Sequence, residues 1–119
     1  MGKKVLTTKA VGECKVIYAN EYLNDLSAEK LEDECDELIQ KGTKKIIVNF
    51  GETQIVNSIG ISVLISIIKK IKKINAEITF CDLRENQKDT FSIVGITKHI
   101  PIFATEAEAL TSLEQKEQN

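Results

Sequence analysis

The chain is poor in the side chains from which catalytic and metal sites are usually built. One histidine, His99, and three cysteines, Cys14, Cys35 and Cys81, are all that its 119 residues offer. The cysteines are odd in number, far apart and without a C-x-x-C pair. They therefore suggest neither a disulfide framework nor, with His99, a metal site at any recognised spacing. They read as reduced, mostly buried thiols, which suits a cytoplasmic location. No G-x-x-x-x-G-K and no G-x-G-x-x-G occurs, so the standard nucleotide cradles are missing and no cofactor is expected. With one histidine and no visible partner for it, no Ser-His-acid triad can be assigned, and the chain does not read as an enzyme. Charge of one sign is lacking too. Sixteen basic residues against eighteen acidic ones give a net −2, too near neutral to draw nucleic acid by charge alone. There is no signal-peptide pattern, and lysines interrupt the longest apolar face, so no membrane association is expected.

What is present is a globular composition, 42% apolar and 29% charged. The length suits a single domain over residues 1–119, with 115–119 a frayed tail. Residues 55–73 (IVNSIGISVLISIIKKIKK) organise the rest. From Ile61 onward, isoleucine, leucine and valine recur at helical spacing, through Ile61, Leu64, Ile68, Ile71 and Ile74 with Val63, Ile65 and Ile67 beside them. The apolar face spans roughly 200°, wide enough to lie across a sheet and touch neighbouring helices. Ser62, Ser66 and a lysine cluster take the other side. That cluster reads as a solvated face complementing the helix dipole, with a basic binding patch as the alternative. Asn57 and Ser58 precede this helix, and either can cap it through a side-chain oxygen. Gly60 permits close approach or an unusual backbone angle. A phosphate on Ser58 would sit near the positive end of the helix dipole.

In chain order, residues 4–10 and 14–19 suggest two strands joined by a turn at Gly12. Residues 20–26 read as a loop, followed by a helix capped by Ser27 or Asp25. Ala28, Leu31, Cys35, Leu38 and Ile39 form its inward stripe, and Gly42 closes it. Residues 44–50 (KKIIVNF) suggest a central strand buried on both faces. Residues 77–83 give another strand. Lys88 or Asp89 opens a short helix with Phe91, Val94 and Ile93 inward, closed by Gly95. Residues 100–103 form a last strand, with Pro101 at its start or edge. Thr105 then caps a final helix, Glu108 holds the capping-box position, and Ala109, Leu110 and Leu113 face inward. The expected fold is α/β: a mixed sheet of four to five strands with about four helices, packed mainly on one face. No internal repeat is visible.

The ordered set KKIIVNF, VNSIGISVLISIIKKIKK, EITFCDL, Phe91 to Ile96 (FSIVGI) and Ile102 to Leu110 resembles a STAS domain. This is the module of anti-sigma-factor antagonists and sulphate transporters. The family typically has an aspartate, a serine and a glycine in the turn before the aliphatic helix. The resemblance implies a binding module switched by phosphorylation. Ser58 is then the acceptor, and an anti-sigma factor with serine-kinase activity and a serine phosphatase are the partners. Asn57, Ile59, Gly60 and Ser62 of the turn, and Asp25 after the second strand, are the implied partner-binding residues. Asn57 stands where the family has aspartate, which keeps a capping oxygen and loses a charge. Two alternatives stay open: a STAS scaffold in a larger signalling assembly that is not phosphorylated, and a STAS domain that binds a nucleotide or other small ligand.

Overall fold

The computed structural model describes residues 6–117 and places the apolar run Lys45–Asn49 at the centre of a five-stranded sheet. The strands of this sheet are β1 (Thr8–Val11), β2 (Cys14–Tyr18), β4 (Lys45–Asn49), β6 (Glu77–Cys81) and β7 (Ile102–Phe103), in the order β1-β2-β4-β6-β7. The first two pair antiparallel across Gly12, whose φ of +57° suits a tight turn. All other pairings are parallel. The helices are α1 (Asp25–Gln40), α2 (Ser58–Lys73), α3 (Glu85–Ile93) and α4 (Glu106–Glu117). Residues 4 and 5 of the expected first strand lie outside the described residues.

Two apolar layers explain why β4 carries aliphatic residues on both faces. On one side, Leu31 of α1, Leu64 and Ile68 of α2 and Phe91 of α3 join Ile46 and Val48 in a single core. Phe50, Phe80 and Phe91 meet edge to face there, with ring centroids 5.0–5.9 Å apart. On the other side, Ala109 and Leu113 of α4 cover Cys14, Val16, Ile47 and Cys81. The expected mixed sheet with four helices, mostly on one face, is what forms. No disulfide joins the three buried cysteines.

Several local expectations need correction. The stretch 20–26 is not simply a loop. It holds a short strand, β3 (Tyr22–Leu23), paired in parallel with β5 (Ile55–Val56) as a separate ribbon. Helix α1 is capped by Asn24 rather than by Ser27 or Asp25. Asn24 Oδ1 accepts the Ser27 amide at 3.1 Å, and Ser27 Oγ accepts the Asn24 amide at 2.9 Å. Helix α3 begins at Glu85, ahead of Lys88 and Asp89. Its start is fixed by tertiary contacts, because Arg84 Nε and Gln87 Nε2 both donate to the Thr53 carbonyl at 3.0 Å. Phe91 is buried as expected, but Ile93 and Val94 are exposed. Ile74 is exposed as well, since it lies past the end of α2 as its C-cap. Thr105 Oγ1 accepts the Glu108 amide at 3.1 Å, as its spacing suggests. Helix α4 runs to Glu117, so the expected frayed stretch overlaps its last residues; residues 118–119 lie outside the described ones.

Candidate functional site

The ribbon of β3 and β5 sets the site. Tyr22 stands opposite Ile55, and Leu23 opposite Val56. Each strand then enters a helix through an asparagine whose Oδ1 accepts the amide three residues on: Ser27 for Asn24 and, at 2.8 Å, Gly60 for Asn57. Counting on from the paired strands, residues 22–27 (YLNDLS) and 55–60 (IVNSIG) are counterparts, position by position. Asp25 matches Ser58, Leu26 matches Ile59, and Ser27 matches Gly60. This short internal likeness is invisible to a reading of the sequence alone, because only the asparagine is identical.

Gly60 is what lets the two units sit together. A Cβ there would lie 2.6 Å from the Leu23 carbonyl oxygen, far inside contact distance. The same carbonyl accepts the Asn57 amide at 3.1 Å. Gly60 is buried, so it seats α2 against β3 and turns no surface outward. Asn57 is half-buried and occupied as the cap. Ser58 is therefore not the cap; it is the first helical residue and exposed, as are Ile59, Ser62 and Asp25.

The two stretches of chain that meet beside Ser58 carry exposed apolar side chains and no positive charge of their own. Tyr22, Leu26, Ile55 and Ile59 are 48%, 68%, 56% and 51% exposed, an unusual grouping for large hydrophobic side chains. Residues 20–27 and 51–63 contain no lysine or arginine, whereas Glu21, Asp25 and Glu52 are exposed acids. The lysines gather at the other end of α2, where they are partly spent. Lys70 pairs with Glu32 at 2.8 Å and Asp36 at 3.1 Å, and Lys72 donates to the His99 carbonyl at 2.7 Å. That last contact puts His99 about 20 Å along the helix from Ser58, at 1.5 Å per residue. It cannot serve Ser58 as a base from there.

A second polar cluster lies at the ends of β2, β4 and β6, on the α4 side. Asn49 Nδ2 donates to Asp82 Oδ2 at 2.8 Å and to Glu106 Oε1 at 2.9 Å. The Tyr18 hydroxyl donates to Glu106 Oε1 at 2.8 Å, and Lys9 Nζ lies 2.6 Å from Oε2. Partial burial works to raise the Glu106 pKa, but the bonds from Lys9, Tyr18 and Asn49 outweigh it and hold the carboxyl below its ordinary 4.5. Burial, then the bond to Glu106, raises Tyr18. These groups satisfy one another and fasten α4 to the sheet. Elsewhere, burial pushes the Cys35 thiol up to about 12 and raises Cys81 as well, so neither is a ready nucleophile. Among the described residues no group of three His, Cys, Asp or Glu could hold a metal ion, and no helix is long and apolar enough to cross a membrane.

The model of the STAS domain family matches residues 6–109. A candidate anti-sigma factor antagonist of Bordetella bronchiseptica, BtrV, is 25% identical over 67% of this chain and 69% of its own length. Among solved structures, a candidate anti-sigma factor antagonist of Thermotoga maritima superposes with a TM-score of 0.84 at 21% identity, covering 92% of this chain and 94% of that one. The Bacillus cell-fate determinant SpoIIAA, solved in its phosphorylated form, superposes with a TM-score of 0.72 at 19% identity, covering 92% and 99%. At those identities the superpositions speak for the shared fold.

Proposed function

This chain belongs to the STAS domain family, and on that premise we propose that it is an anti-sigma-factor antagonist whose binding is switched at Ser58. Unphosphorylated, it engages an anti-sigma factor that is also a serine kinase, in the cytoplasm; a serine phosphatase resets it. It is a regulatory binding protein, like the antagonists it resembles, and not an enzyme. The observation that carries the reading is an exposed serine at the first position of α2, set among exposed apolar side chains and with no cation in its own stretch of chain.

The physical logic is short. A phosphate adds about −1.5 to −2 charges, which the start of a helix tolerates, so the fold need not change. No lysine or arginine in residues 20–27 or 51–63 is available to fold over the dianion, and Glu21, Asp25 and Glu52 are of like sign. Those two stretches therefore leave the charge unneutralised. A partner that buries Tyr22, Leu26, Ile55 and Ile59 would have to desolvate it without compensation, and the complex would be lost. SpoIIAA, which shares this fold, has been solved phosphorylated, and that supports the reading.

The experiment is to incubate the chain with its anti-sigma kinase and ATP and map the phosphate by mass spectrometry. The affinities of wild type and Ser58→Asp for that kinase are then compared. Phosphate on Ser58 and a large loss of affinity in Ser58→Asp are expected. One observation favours a second reading: Asn57 lacks the charge of the family's aspartate. If Ser58 is never modified and Ser58→Asp binds like wild type, the chain is an unswitched scaffold.

A further inference from the structure

We infer that Gln87 and Arg84 of α3 are positioning residues for Ser58: through the Thr53 carbonyl they hold β5, and with it the phosphate acceptor, in the pose that a kinase takes up. The inference rests on the functional reading above. Strand β5 pairs with β3 alone and takes no part in the five-stranded sheet. Its place in the molecule is therefore set at its two ends. Downstream are the Asn57 cap and the seat of Gly60 on Leu23. Upstream, two residues before β5, is Thr53.

Thr53 is fully buried, and each of its polar groups is engaged. Its hydroxyl donates to the Asn20 carbonyl at 2.8 Å, and its amide donates to the Phe50 carbonyl at 2.9 Å. Its own carbonyl accepts Arg84 Nε and Gln87 Nε2, both at 3.0 Å. Asn20 stands two residues before β3, so one residue ties the approaches of both ribbon strands to the start of α3. The next amide, that of Gln54, donates to the Glu21 carbonyl at 2.7 Å and carries the tie into the ribbon.

Gln87 is 5% exposed, so a partner seated on the surface around Ser58 does not reach it. Its Oε1 accepts the Arg84 amide at 3.1 Å, which orients the side chain and leaves Nε2 for Thr53. A buried carbonyl deprived of these donors is costly, and the loop that carries it relaxes to find others. Phosphoryl transfer is catalysed almost entirely by positioning and electrostatics. A displacement of about 1 Å, caused far from the chemistry, costs on the order of a hundredfold in rate.

The test uses the full chain carrying Gln87→Met, which keeps the bulk of the side chain and removes its hydrogen bonds. Leu113→Ala, which loses stability from the opposite layer, is the control. Methyl relaxation dispersion, which reads motion on the μs–ms scale, should appear at Ile55 and Val56 in Gln87→Met and stay flat in Leu113→Ala. With Mg-ATP and the anti-sigma kinase that modifies wild type, Gln87→Met should lower kcat for Ser58 by about tenfold or more. KM should stay within about threefold, because the exposed apolar side chains beside Ser58 are unchanged. The double variant Arg84→Met/Gln87→Met, which removes both donors, should lower kcat further. Flat dispersion or wild-type kcat in Gln87→Met overturns the inference and leaves the functional reading standing. An equal fall of kcat in Leu113→Ala also overturns it, since general loss of stability would then be the cause. If Ser58 of wild type is never phosphorylated, the functional reading fails first, and the dispersion alone decides whether α3 holds β5.

Discussion

At the scale of single residues, the turn before α2 divides its labour between two neighbours. Asn57 carries the cap, so Asn57→Ala should cost about 1 kcal/mol, read from the denaturant midpoint at unchanged slope. Ser58 makes no such contribution, and Ser58→Ala should fall within about 0.5 kcal/mol of wild type. Equal losses at both positions would contradict the assignment of the cap. Gly60 gives a sharper contrast. Replacing a helical glycine by alanine ordinarily stabilises by up to about 1 kcal/mol. Here the new methyl would collide with the Leu23 carbonyl, so Gly60→Ala should destabilise by about 1–3 kcal/mol instead. The tetrapeptide Asn-Ser-Ile-Gly was legible as a helix start. Which residue capped it was not, because asparagine and serine have the same capping chemistry and only the ribbon's register chooses between them. For the same reason Asp25 and Ser27 looked like caps while Asn24, one residue earlier, did the work.

At the scale of elements, hydrophobic period identified β2, β4, β6, α1 and α2, since each buries a face large enough to impose its spacing on the sequence. It missed β3, whose two residues bury only Leu23, and it missed the first turn of α3. Those pieces are held by backbone pairing and by side chains reaching Thr53, neither of which leaves a periodic trace. Helix α4 shows how a polar fastening adds to an apolar one. Truncating its fully buried Leu113 to alanine should cost about 2–5 kcal/mol. Its Glu106 contributes a pH-dependent part. The folded-state pKa lies below 4.5, so the charged carboxylate stabilises at pH above that value, and the stabilisation is lost as pH falls through the folded pKa. Melting temperatures measured from pH 6 to pH 3 should therefore fall more steeply for wild type than for Glu106→Gln. Parallel curves would show that the cluster adds nothing.

Across the whole molecule, the three thiols are distributed between the two layers: Cys35 under the α1–α2 side, Cys14 and Cys81 beneath α4. Thiol labelling can then report on each layer separately. In Glu106→Gln, Cys14 and Cys81 should label sooner than in wild type, with Cys35 unchanged; simultaneous labelling of all three would mean that the layers open as one unit. Charge is divided along the molecule as well, with acids and no cations in the two turns around Ser58, and lysines at the far end of α2. The ribbon that carries the proposed docking surface is held, like β7, by two residue pairs, against the five that join β4 to each neighbour. Its consequence is one of lifetime. The amides of Gln54 and Asn57, which bond to Glu21 and Leu23 across the ribbon, should exchange with deuterium long before those of Val48. A bound partner would hold the ribbon shut and slow that clock, while a phosphate that dismisses the partner would let it run again.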